Sequence, residues 1–154
     1  MSKKRRKINL GLEAFLLEQG ASFKALTRLE KEAVQQQWRE IYAAPVHRKT
    51  GEWIYGGFDW HAFSWEFTKA LQDDAAREAY LKIGVIPFKN YYVIRENNHA
   101  RGYLCQFTKI VDLHSLCDDV HVFPKTMEWT MAFTHEEGWG IGPFFCAREW
   151  VKKT

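Results

Sequence analysis

Two histidine-containing segments are the parts of this sequence best suited to acid–base chemistry. Residues 134–137 read Thr-His-Glu-Glu after a predicted strand, and residues 59–61 read Asp-Trp-His. Strand ends often carry catalytic side chains, and a histidine beside a carboxylate titrates near neutral pH. The pattern allows a small hydrolase-like enzyme centred on His135, with Glu136 or His61 assisting. A polar turn with structural histidines explains the same residues, because no spacing here is diagnostic of a catalytic site.

A second group of histidine and cysteine residues has some of the donors that zinc requires. His114 and Cys117 are three residues apart and would share a helix face, and His121 or Asp118 would supply a third donor. A structural zinc site needs four ligands, however, and the sequence has neither a CxxC nor an HExxH pattern. The glycines of 138–142 lack the neighbours of a phosphate-binding loop. We therefore expect no metal and no cofactor.

A run of basic residues near the start of the chain is the main concentration of charge. It consists of Lys3, Lys4, Arg5, Arg6 and Lys7. The formal net charge is +3, but the remaining residues include 17 basic and 19 acidic side chains. We predict a disordered basic arm over 1–7 and a single domain over 8–154. Nucleic-acid binding through residues 3–7 is an alternative function, although the slightly acidic remainder argues against it.

The length and composition fit one globular domain without a membrane span. The 154 residues are 46% hydrophobic and 27% charged. No stretch approaches the roughly 20 apolar residues that cross a bilayer, and Glu13 and Glu18 interrupt the segment after the basic run. The three cysteines are widely spaced and odd in number, which suits free thiols in a reducing compartment. We therefore expect a cytoplasmic protein.

The elements that must position these residues are helices early in the chain and strands later. Helical spacing predicts a helix over 8–19, a capping box at Thr27 and Glu30 opens a second, and Asp73 or Asp74 opens a third. Strands are predicted within 58–67 and at 91–94, 103–107, 120–123, 129–134 and 144–146. Because no βαβ repeat appears, the predicted fold is α+β, with a mostly antiparallel sheet of about five strands. The N-terminal and inserted helices are expected to pack on one face of it.

Aromatic residues are unusually frequent and favour a role in binding. They make up 16% of the chain and include seven tryptophans. Since no catalytic or metal motif stands out, the leading hypothesis is a non-catalytic module that binds another protein, for example an immunity-type factor. Large aromatic side chains are typical of the residues that dominate binding energy at such surfaces. The residues expected to contact the partner are Trp53, Tyr55, Trp60, His135 and Trp139.

Several short runs between residues 28 and 147 form a recognisable pattern. The clearest are Trp129-Thr130, Thr134-His135-Glu136 and Gly142-Pro143-Phe144-Phe145. The pattern resembles a bacterial family of small single-domain proteins described only as a domain of unknown function. The resemblance implies a bacterial cytoplasmic protein, and it implies no established activity, cofactor or catalytic residue.

Overall fold

The computed structural model describes residues 3–83, 89–116 and 118–151. Within them the chain forms five α-helices and seven β-strands. The helices are α1 (Lys3–Glu18), α2 (Arg28–Tyr42), α3 (Ala44–Thr50), α4 (His61–Ser64) and α5 (Asp73–Ile83). The strands are β1 (Ser22–Ala25), β2 (Leu71–Gln72), β3 (Asn90–Arg95), β4 (Gly102–Gln106), β5 (Val120–Pro124), β6 (Trp129–Phe133) and β7 (Phe144–Ala147).

The strands form one antiparallel sheet in the order β1-β4-β3-β5-β6-β7-β2. The α+β class and the antiparallel sheet confirm the prediction from sequence, but the described strands number seven rather than about five. The two additional strands, β1 and β2, lie at the edges and are four and two residues long. They are largely exposed, so they lack the alternation of buried and exposed residues that identifies a strand in a sequence.

Helices cover both faces of the sheet, which corrects the prediction that they pack on one face. Helices α1 and α5 belong to one core, which contains Leu16, and α2, α3 and α4 belong to a second, which contains Trp38. Consecutive residues of β6 alternate between the two, with Met131 in the first and Ala132 in the second. Every position of β5 and β6 is buried. Both faces of the sheet are therefore apolar and both require cover.

The second helix begins as the sequence predicts. The Thr27 hydroxyl accepts a hydrogen bond from the Glu30 N–H at 3.1 Å, and the Glu30 carboxylate accepts one from the Thr27 N–H at 2.9 Å. This reciprocal pair satisfies two amide groups that a helix start leaves without partners. The helix then buries Val34, Trp38 and Tyr42 at four-residue intervals, so its apolar stripe faces the sheet.

The first helix begins at Lys3, where the sequence predicts a disordered arm over 1–7. Lysine and arginine have good helix propensities, so residues 3–7 belong to α1 instead of forming a separate segment before it. Met1 and Ser2 lie outside the described residues, and nucleic-acid contact through residues 3–7 stays a prediction. None of the helices in the described part of the chain combines the length and the apolar character needed to span a bilayer.

Residues 58–67 form α4 and a turn, where the sequence predicts a strand. Trp60 and Phe63 are three residues apart and both are buried, which is helical spacing, whereas Trp65 is exposed. The chain then turns at Glu66, whose φ is 58°. The alternation of rings that suggested a strand is therefore a helix end followed by a turn.

Candidate functional site

One end of the central sheet gathers polar residues from three neighbouring strands. Arg95 pairs with Val120, and Val120 pairs with Phe133. The residues just beyond these positions, Glu96, Asp119 and 134–135, therefore lie side by side. The Glu96 N–H donates to the Asp119 carbonyl at 2.9 Å and ties this end of the sheet together. Sheet pairing, rather than sequence proximity, brings Asp119 to His135.

The Asp119 carboxylate fixes the orientation of the His135 ring. It accepts hydrogen bonds from the Trp60 indole N–H at 2.8 Å, from the His135 backbone N–H at 3.0 Å and from His135 Nδ1 at 2.9 Å. Because a carboxylate only accepts, Nδ1 carries a proton and Nε2 is the atom left to exchange one. His135 Nε2 lies 3.6 Å from the Glu136 carboxylate. The hydrogen bond with Asp119 raises the pKa of His135 against the opposing effect of burial.

His61 lies near His135, and its pKa is shifted in the opposite direction. Its Nδ1 is 2.7 Å from the Ser64 hydroxyl, and burial lowers its pKa below the usual value. The ring fits closely against Gly56, where a Cβ would come within 2.9 Å of the ring carbon Cδ2. Gly56 also has a φ of +68°, so this position requires glycine for both space and backbone conformation.

Both imidazole rings rest on the same pair of aromatic side chains. The Phe58 ring centroid is 5.8 Å from that of His61 and 5.2 Å from that of His135. The corresponding distances from Trp60 are 4.2 and 6.2 Å. Phe58 and Trp60 stack on each other at 5.4 Å and so form a rigid floor beneath the two histidines. The two histidines therefore lie on one aromatic surface and differ in the direction of their pKa shifts.

A cleft of about 260 Å³ opens beside His61, between α4 and the loop after β6. Its walls include Ser64, Trp65, Gln72 and Ile141. The loop is held to the strand end because the Thr134 hydroxyl donates to the Ile141 carbonyl at 2.6 Å. His135 does not line this cleft, but its ring contacts Trp60, which does.

A buried ionic network supports the floor from behind. Arg39 donates two hydrogen bonds to Asp59, from Nε at 2.9 Å and from Nη2 at 3.2 Å. The Asp59 N–H donates to the Glu96 carboxylate, which also pairs with His121 Nε2 at 3.1 Å. Burial raises the pKa of Glu96, while the contact with His121 opposes that rise. Asp59 lies between Phe58 and Trp60 in the chain, so the network anchors the backbone that carries both rings of the floor.

The five residues predicted to contact a partner differ widely in exposure. Trp60 is 0% exposed and forms the floor beneath the two histidines together with Phe58, and its contact with a partner stays a prediction. Trp53 is half-buried and stacks on His47 at 4.0 Å. Tyr55 is 40% exposed and Trp139 is 85% exposed, so both are available at the surface.

The predicted zinc donors do not come together. His114 pairs with Glu137 at 3.0 Å, and Arg77 of α5 pairs with the same carboxylate. His121 instead packs against Trp38 of α2, on the opposite face of the sheet. Cys117 lies outside the described residues. No group of three histidine, cysteine or acidic side chains in the described part of the chain is placed to hold a metal ion.

The sequence analysis missed Asp119, the residue that orients His135. It also missed Ser64, which bonds His61 three residues along α4. A signal for Asp119 exists, since it stands immediately before a strong apolar strand, as His135 stands just after one. Using that signal requires the register of the β5–β6 hairpin, which a single sequence does not provide.

A protein-family model described as a domain of unknown function (DUF4275) matches residues 27–145. This range contains Asp119, His135 and His61, and it agrees with the range over which the sequence pattern was recognised. No curated protein and no solved structure matches the chain.

Proposed function

We propose that this chain, which belongs to the family described as a domain of unknown function (DUF4275), is an acid–base enzyme that hydrolyses a neutral ester. The observation that carries the proposal is the hydrogen bond between Asp119 and His135 Nδ1, at 2.9 Å. A histidine held in this way has one defined tautomer and keeps Nε2 for proton transfer. We place this function ahead of protein binding because the spatial pairing that the sequence could not reveal is present.

The two histidines take complementary roles in the proposed reaction. His61, whose pKa is lowered, is neutral and accepts a proton from a water molecule. The resulting hydroxide attacks the ester carbonyl carbon. The alcohol part of the ester extends from the cleft past Trp60 to His135, whose pKa is raised and which donates its Nε2 proton to the departing alcohol oxygen. The proton on His61 then returns to His135 through solvent, so the cycle closes without a cofactor.

The neutral charge of the substrate follows from the walls of the cleft. The described residues that line it include Gln72, Ser64 and apolar side chains, but no lysine or arginine. A phosphate or carboxylate group in the cleft would find no lysine or arginine there, whereas an uncharged carbonyl compound needs none. The apolar share of the walls, including Trp65 and Ile141, suits a small hydrophobic acyl or alcohol group.

The test is the hydrolysis of p-nitrophenyl acetate by the full chain, measured against the same concentration of free imidazole. The wild type should exceed imidazole, with a bell-shaped dependence on pH. His135→Gln and His61→Gln should each reduce the rate about 100-fold or more, the usual contribution of a general acid or base. His99→Gln is the matched control, since His99 is exposed in a turn away from the cleft, and its rate should not change. A wild-type rate equal to that of His135→Gln would refute the proposal.

Protein binding is the second candidate function, and the exposure of Trp139 favours it. This ring is 85% exposed, and Ile141 beside it is 36% exposed, on a loop that adjoins the cleft. We infer a partner protein that covers this loop. Purification from the host should recover a partner with the wild type but not with Trp139→Ala. Leu29→Ala is the matched control and should also recover the partner, because Leu29 is 76% exposed but lies on α2. Identical recoveries for all three proteins would rule out this surface.

A further inference from the structure

Three aromatic side chains line a second concavity, which adjoins the histidine cleft because Trp65 lines both. Tyr55 contacts Trp65 with ring centroids 5.6 Å apart and planes at 80°, and it contacts Phe67 at 5.2 Å and 65°. The three rings line a cavity of about 530 Å³, together with Glu66 and Lys49. Trp65 is 60% exposed, so ring surface that could be buried faces solvent instead.

The turn after α4 places these rings on the same side. Trp65, Glu66 and Phe67 are consecutive, and in an extended strand the middle residue would point away from its neighbours. Glu66 has a φ of 58°, so the chain turns there and all three side chains line one cavity. The result is a set of steeply inclined rings, with Glu66 among the residues that line the same cavity.

This combination is suited to a cation that does not form hydrogen bonds. The faces of aromatic rings carry partial negative charge and attract ammonium groups, with tryptophan the strongest. A quaternary ammonium group has no N–H, so it needs ring surface and a nearby negative charge rather than hydrogen-bond acceptors. The walls supply both, from Tyr55, Trp65 and Phe67 and from Glu66.

A cation of the chain itself already lies at this site. Lys49 Nζ is 5.8 Å from the centroid of the Phe67 ring. The Lys49 side chain is flexible and exposed, and its ammonium group is strongly hydrated, so it can leave for solvent when a less hydrated cation arrives. We propose that the Tyr55–Trp65–Phe67 cage binds a quaternary ammonium group of a small molecule, in competition with Lys49.

The test compares choline with 3,3-dimethylbutan-1-ol, a neutral compound of nearly the same shape, by ligand-observed NMR titration of the full chain. Choline should bind at least about five times more tightly, because only the cation interacts with the ring faces. Trp65→Ala should weaken choline binding about tenfold. The matched control is Trp139→Ala, which removes another exposed tryptophan and should leave the affinity unchanged. Equal affinities for the two ligands would overturn the proposal.

Lys49→Gln gives an independent check with the opposite sign. Removal of the competing cation should strengthen choline binding severalfold, whereas weaker binding would show that Lys49 does not compete and would overturn the proposal. Trimethyllysine and phosphocholine distinguish the possible sources of the group, because a phosphate close to Glu66 should weaken binding. His135→Gln should bind choline like the wild type, so the cage and the proposed hydrolysis stand or fail separately.

Discussion

Replacing Arg39 with methionine should lower the free energy of unfolding by about 3 kcal/mol, because it leaves the buried Asp59 carboxylate without its cation. The Asp59 side chain is only 7% exposed, and that of Arg39 is 20% exposed. Breaking a buried ion pair costs roughly 3–5 kcal/mol, and the partial exposure of Arg39 lets water in, which favours the lower end of that range. The Asp59 and Glu96 carboxylates repel each other, and in the wild type the Arg39 cation offsets this repulsion.

Urea denaturation at neutral pH measures the effect directly. Thermal unfolding should show a melting temperature lower by roughly 6–12 °C, given about 2–4 °C per kcal/mol for a chain of this size. Asp59→Asn in the Arg39→Met background should restore most of the loss, since residue 59 then carries no charge that needs the Arg39 cation. Arg28→Met is the matched control: its pair with Glu32 is exposed on both sides, so the cost should stay within about 0.5 kcal/mol.

Two results would refute this reasoning about Arg39. One is a cost for Arg39→Met no larger than that of Arg28→Met, which would mean that the buried pair contributes little. The other is a double variant whose loss equals the sum of the two single losses, because residues in contact should be coupled. Either result would mean that the Arg39–Asp59 pair does not hold the neighbouring Trp60 in position.

Asp119→Asn should lower the pKa of His135, because the carboxylate that holds its Nδ1 proton becomes a neutral amide. NMR titration of the ring protons measures this pKa. An unchanged pKa would contradict the assigned hydrogen bond. The same substitution should change how stability depends on pH. Since the folded-state pKa of His135 is raised, its contribution is complete below the unfolded pKa of about 6.5 and is lost as the pH rises through the folded value. The stability difference between wild type and Asp119→Asn should therefore be larger near pH 6 than near pH 9, and a constant difference would contradict this sign.

The parts of the fold that the sequence predicts well depend on local signals. The capping box at Thr27 and Glu30 fixes the start of α2 because both partners lie within one helical turn. The strands from β3 to β7 are apolar runs bounded by polar or turn residues, which identifies them without tertiary information. The start of α5 at Asp73 is likewise marked by acidic residues in its first turn.

The parts that sequence reasoning missed depend on tertiary contacts. The rings at 58–67 alternate like those of a strand, yet the Trp60 indole reaches Asp119, far along the chain, and the segment folds as a helix and a turn. The edge strands β1 and β2 pair with β4 and β7, which lie far along the chain. The pairing of Asp119 with His135 requires the register of a hairpin, and a shift of one residue would turn these side chains to opposite faces.

The same end of the sheet contains two carboxylate–histidine pairs, and burial decides which of them is suited to chemistry. Glu96 pairs with His121, whose side chain is 4% exposed, and that pair uses Nε2 inside the protein. Asp119 pairs with His135 through Nδ1, and the ring is 40% exposed, so Nε2 is left at the surface. A proton donor must reach both its orienting carboxylate and its substrate. Of these two histidines, only His135 is open to solvent, so the proposed hydrolysis depends on His135 rather than on His121.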